Sequence, residues 1–170
     1  MRTMKKGLSW LLMLSMILSL FAGMALGATV DPKTATPDPT PAEAFKPLAD
    51  GEIDLNSDYE GDLTNVVIPA EIDGETVTAI ADGMFMMNSD VETVVIPSTV
   101  TSIGFMAFDE CDSLTAIYFY GEAPYGFGET TYDDFSGAAL YCKGKYYSSF
   151  TSEGLDPTAT INNDLADPVY

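Results

Sequence analysis

Histidine is absent from this chain of 170 residues, and basic side chains are scarce: 7 Lys and Arg stand against 26 Asp and Glu, for a formal net charge of −19. Without imidazole there is no partner to activate a Ser or Cys nucleophile, and no zinc site can be built on His. The 2 cysteines, Cys111 and Cys142, are too few for a Cys-rich metal site. So acidic a surface repels DNA, RNA and anionic lipid, which removes nucleic acid and membrane surfaces from the expected partners. Gly126-Phe127-Gly128 has neither a long strand before it nor a helix signal after it, so it is not a phosphate loop. Lys143 and Lys145 lie near Ser148 and Ser149, but the Ser-x-x-Lys order of a Ser-Lys dyad is missing. No cofactor is implied.

Only one stretch is long and apolar, and it lies at the start. Arg2, Lys5 and Lys6 precede an apolar run from Trp10 to Leu26, and Ala25 and Gly27 supply the small residues that a signal peptidase reads. Residues 1–27 are therefore expected to be a signal peptide cleaved after Gly27, rather than an uncleaved anchor. No Cys follows the run to carry a lipid. The expected product is exported, either secreted or associated with the cell surface, with no insertion in the membrane after cleavage. Three basic residues and no acid leave with the leader, so the mature chain is more acidic still.

Residues 28–48 hold half of the 10 prolines together with Thr, Asp and Ala, and are expected to form a disordered linker. From Asp50 onward, short β-branched runs alternate with Gly and Pro. Val66–Ile68, Val94–Ile96 and Ile117–Phe119 are expected strands, the first two ended by Pro69 and Pro97, which offer no ladder donor. A second set, Val77–Ile80 and Val100–Ile103, follows each turn.

These runs repeat. Val77 to Phe85 returns as Val100 to Phe108, and Val91 to Ile96 returns as Leu114 to Phe119 at the same offset. Asp62 to Pro69 matches Asp90 to Pro97 at a longer spacing, with the surplus in the loop around Asp73-Gly74-Glu75. Ile117 and Tyr118 carry forward to Leu140 and Tyr141, and Phe108 to Phe135. A fixed period in the twenties marks a repeat solenoid in which each repeat is one coil. The expected fold is a short stack of about 3–4 coils, mostly β with short helical turns. The domain is placed at residues 49–158, with an irregular capping segment at Gly121-Glu122-Ala123-Pro124 and a C-terminal tail at 159–170. The register sets Cys111 and Cys142 on different sides of the coil, so two separate buried thiols are expected in place of a disulfide.

Three chemical readings attach to this frame. Asp54, Asn56, Asp58 and Asp62 space oxygen ligands as a calcium loop would. Tyr59, however, stands where such a loop needs Gly, and Asn65 where it needs a bidentate Glu, so a solvated acidic surface is the better reading. Paired carboxylates able to hydrolyse a glycoside require a cleft that desolvates one member, and a short stack offers little concavity. Finally, if Val94, Ile96, Ile117 and Phe119 point inward, alternation sends Val67, Val95, Tyr118 and Tyr141 outward, with Tyr120 in the neighbouring column. This Val-Val-Tyr-Tyr stripe is the candidate binding face, with mutual support across the ladder as the plainer alternative. Tyr125 and Phe127 either cap the core or extend the face. The repeating Phe85, Phe108 and Phe135 are expected core.

The pattern Ile-Pro-x-x-Val-Thr-x-Ile-Gly-x-x-Ala-Phe-x-x-Cys-x-x-Leu-x-x-Ile, from Ile96 to Ile117, resembles the BspA-like (Treponema-pallidum-type) leucine-rich repeat. The likeness covers roughly residues 60–145. Asn88 fills the slot of Cys111 one coil earlier, as the family's Asn-or-Cys position implies, whereas Ala81 and Met84 replace its usual Gly and Ala. The resemblance implies an exported or surface-displayed bacterial protein without catalytic residues, in a family some of whose members adhere to host matrix proteins or other cells. The expected function is thus a non-catalytic interaction module for proteins of host or neighbouring cells. The alternatives are a carbohydrate- or cell-wall-binding module and, further off, a small carboxylate-dependent hydrolase. Nothing in the pattern fixes an oligomeric state.

Overall fold

The computed structural model describes residues 31–32, 36–125, 138–152, 157 and 159–161. The expected leader, Phe127 and Phe135 lie outside them. Among the described residues there are eleven strands: β1 (Phe45–Pro47), β2 (Glu52–Leu55), β3 (Asn65–Val67), β4 (Glu71–Ile72), β5 (Glu75–Thr76), β6 (Ala79–Ile80), β7 (Thr93–Ile96), β8 (Ser102–Ile103), β9 (Ala116–Phe119), β10 (Ala139–Lys143) and β11 (Ala159–Ile161). They form a five-stranded sheet in the order β11-β10-β9-β7-β3, a four-stranded sheet in the order β1-β2-β6-β8, and the β4-β5 hairpin. The molecule is a parallel β-solenoid of about 3 turns.

The repeat becomes the ladder. Val66 pairs with Val94, Val94 with Ile117, and Ile117 with Leu140, all in parallel strands. On the second sheet Ile53, Ile80 and Ile103 stand in one column. β3 and β7 stop just before Ile68-Pro69 and Pro97, where the missing proline N–H ends the pairing. The surplus residues of the first coil form the β4-β5 hairpin, turned at Asp73-Gly74, both at positive φ.

The inner columns meet in one core of Val66, Ile68, Val94, Ile96, Ile117 and Phe119 from one sheet and Ile53, Ile80 and Ile103 from the other. Among the described residues, the third side of two successive coils is a turn that buries a phenylalanine. Phe85 and Phe108 stack with ring centroids 5.1 Å apart and planes 14° apart. The turns are stacked by backbone bonds: the N–H groups of Gly83, Phe85 and Met87 donate to the carbonyls of Phe105, Ala107 and Asp109. Gly104 shows why this motif uses glycine, since a Cβ there would meet the Asp82 nitrogen at 2.4 Å. Asn88 accepts from the N–H groups of Asp90 and Val91, and Cys111, one coil on, donates its thiol to the Phe85 carbonyl at 2.9 Å.

Two boundaries differ from expectation. The stretch 28–48 was expected to be disordered, yet Ala42–Ala44 form a 3-10 turn and β1 pairs antiparallel with β2. Ala44 and Phe45 are buried in the core, so the segment gains apolar contacts that its proline content conceals. At the other end, β11 pairs in parallel with β10 inside the expected tail, covering what would otherwise be an open sheet edge.

Candidate functional site

The outward column exists in the expected register but does not face solvent. Val67, Val95, Tyr118 and Tyr141 stand side by side across β3, β7, β9 and β10. Val67, Val95, Tyr118 and Tyr120 are nevertheless buried, forming with Ala116 a second apolar cluster against which the half-buried Tyr141 packs. Tyr118 and Tyr141 stack at 4.8 Å between ring centroids. The cover is the chain's own N-terminal segment. The Thr40 N–H donates to the Val67 carbonyl, the Val67 N–H donates to Thr40 Oγ1 at 2.8 Å, and the Tyr120 hydroxyl donates to the Pro32 carbonyl at 3.0 Å. Lys143 Nζ lies 4.6 Å from the Tyr120 ring centroid. The stripe expected to bind a partner is therefore largely buried in a second apolar cluster, to which Pro32 and Thr40 are hydrogen-bonded.

Apolar surface is exposed elsewhere. Met86 (43 %), Met87 (64 %), Phe105 (50 %) and Met106 (36 %) are open on two adjacent turns. Their order follows the ladder: the Gly83 N–H bonds to the Phe105 carbonyl and the Met87 N–H to the Asp109 carbonyl. Met86 folds back over Gly83, and the Phe105 N–H donates to Asp82 Oδ1 at 2.7 Å. Sequence reasoning passed over these residues because it followed the strands. The available signal was large apolar side chains at turn positions that flank the buried Phe of each coil.

A second feature is a groove of about 480 Å³ beside the last coil, lined in part by Ser98, Thr101, Glu122, Tyr125 and Tyr146. Tyr125 is 82 % exposed, yet its backbone is fixed, its N–H donating to the Thr101 carbonyl and its carbonyl accepting from Ile103. Ser149 Oγ donates to the Tyr146 carbonyl at 2.7 Å and accepts from the Ala123 N–H at 3.0 Å, tying the groove's walls together. Tyr125 is thus exposed and does not cap the core, and it pairs with Ser102 beside the four-stranded sheet, not with the Val-Val-Tyr-Tyr column.

The other candidate chemistry is occupied with structure. Asp54 accepts from the Leu55 N–H, Asn56 from the Asp58 N–H and Asp62 from the Thr64 N–H. The Thr64 hydroxyl and then its N–H hold the Asp62 carboxyl below its ordinary range. Among the described residues no carboxylate is buried. Cys111 and Cys142 are both buried and not joined to each other. Burial pushes the Cys142 thiol up to about 11, which keeps it protonated and unreactive at neutral pH.

The class is that of the leucine-rich-repeat solenoids, by period, parallel ladder and stacked phenylalanine turns. Residues 53–134 match the family described as "BspA type Leucine rich repeat region (6 copies)", and this region belongs to that family. Among solved structures, the crystal structure of a T. pallidum leucine-rich repeat protein is similar at 25 % identity and a TM-score of 0.42. The alignment covers 67 % of this chain and 58 % of that one, so the chain spans little more than half of that relative's length. No curated protein matches the chain. The repeat family is one of interaction modules and is generally non-catalytic. Among the described residues no helix is long and apolar enough to cross a membrane.

Proposed function

We propose that this protein is an exported, non-catalytic interaction module that binds proteins of host or neighbouring cells. The observation that carries this reading is the open apolar turn face at Met86, Met87, Phe105 and Met106, beside a five-stranded sheet whose apolar columns are largely buried on both faces. Exposed apolar patches on soluble proteins mark places where partners bind, and methionine's flexible thioether adapts to varied surfaces. A face of four exposed apolar side chains binds weakly as a single copy and gains strength in multivalent display. The test is capture of purified extracellular matrix and cell-surface proteins by multivalent protein, beside a Phe105→Ser/Met87→Asn variant. Capture that the variant loses supports the reading, whereas no capture in any display sinks it.

The groove beside Tyr125 favours a second reading, a carbohydrate- or cell-wall-binding module. Its exposed tyrosine ring, with Ser98, Thr101 and Glu122 nearby, offers a stacking surface and polar groups for sugar hydroxyls. Glycan binding that Tyr125→Ala abolishes and Phe105→Ser leaves intact would move the function to this groove.

A further inference from the structure

The turn face carries charge as well as apolar surface, and three of its rungs pair the two, while Met106 stands beside Gly83. Aligned by the backbone bonds between the turns, Phe105 stands beside Asp82, Met86 beside Asp109, and Met87 beside Glu110. Asp82 and Glu110 are exposed and Asp109 is half-buried. Adjacent rungs lie about 4.8 Å apart, so an apolar side chain and a carboxylate alternate at a spacing that one long side chain spans. The wider field has one sign. Between Lys46 and Lys143 the sequence contains no Lys or Arg and most of the 26 acids. No basic residue of this chain therefore lies between the two turns and their carboxylates in sequence, and the field attracts cations from a distance.

Resting on the interaction reading above, we propose that the occupant of this face is a cationic amphipathic protein segment, with Lys or Arg interspersed among apolar residues. Lys and Arg lay an aliphatic stem on apolar surface while the charged head stays at a polar rim, which matches rungs that pair Met or Phe with a carboxylate. Phe105 adds a ring face for a guanidinium or ammonium. A neutral apolar segment would leave the acids uncompensated, and a purely basic one would leave the methionines in water. Met106, Met87 and Glu110 hold left-handed backbone, at φ 55°, 59° and 55°, which fixes the turns that present these side chains.

The test is fluorescence anisotropy of a labelled helical Lys/Leu peptide titrated with the purified protein. Controls are a Glu/Leu peptide of the same pattern and a Lys/Ser peptide of the same charge. The Lys/Leu peptide is expected to bind about tenfold or more tightly than either control, and Phe105→Ser/Met87→Asn to lose about tenfold. Asp109→Asn/Glu110→Gln is expected to lose several-fold and to flatten the weakening seen between about 50 and about 300 mM salt. Equal binding of the Lys/Ser peptide, or Lys/Leu binding unchanged in the Phe105→Ser/Met87→Asn variant, would overturn the proposal. So would the absence of Lys/Leu binding while Phe105-dependent capture of protein partners persists, a result that leaves the interaction module standing and removes only the cationic partner. Circular dichroism on each variant separates lost binding from lost fold.

Discussion

Large apolar side chains leave the solenoid's core on two sides, and the two sides meet opposite fates. On the outer face of the five-stranded sheet, Val67, Val95, Tyr118 and Tyr120 are buried beneath the N-terminal segment. On the turn side, Met86, Met87, Phe105 and Met106 remain open to solvent. Residue type does not separate them, because tyrosine tolerates exposure at least as well as phenylalanine. What separates them is the availability of a cover. Thr40 and the Pro32 carbonyl satisfy polar groups of Val67 and Tyr120 on the sheet, while the turns already have their backbone bonds from the next coil. The closed face contributes to stability, and the open one is the face proposed above for a partner.

That contrast can be broken most forcefully at Tyr120. Tyr120→Ala removes a fully buried ring and its hydroxyl bond to Pro32, and is expected to cost about 3–5 kcal/mol in urea unfolding. A loss below about 1 kcal/mol would mean that the cover is loose and the outer face is reachable after all. Thr40→Val comes next. It keeps the shape but leaves the Val67 N–H without its acceptor, with an expected cost of about 1–3 kcal/mol. The smallest effect is expected on the turn side, where Phe105→Ser should shift stability by no more than about 0.5 kcal/mol, as for exposed sites generally. A cost as large as that of Thr40→Val would make Phe105 a structural residue and weaken its assignment to a partner.

The inner columns were legible in the sequence because a ladder repeats its side chains at the repeat's own period. Val94, Ile96, Ile117 and Phe119 point inward as alternation requires, and Phe85 and Phe108 stack as their recurrence implies. Alternation also placed Val67, Val95, Tyr118 and Tyr141 in one outward column. It could not say whether that column is wet. The covering segment shares no period with the repeat, and its prolines read as a tether even though Ala44 and Phe45 anchor it. The turn face escaped notice for the converse reason. Met86 and Phe105 occupy non-equivalent positions in their coils, so only the stacking of one turn on the next unites them.

By itself, the sequence determined the period, the parallel stacking of coils, the inner core, the separation of the two thiols and the excess of negative charge. These are properties of spacing and composition, which the chain carries whatever its neighbours in space. The tertiary structure alone decided which apolar columns are covered. Burial depends on contacts between segments far apart in sequence, such as Pro32 with Tyr120 and Thr40 with Val67. No local pattern encodes a contact of that kind, and here it buries the sheet column while the turn residues stay exposed.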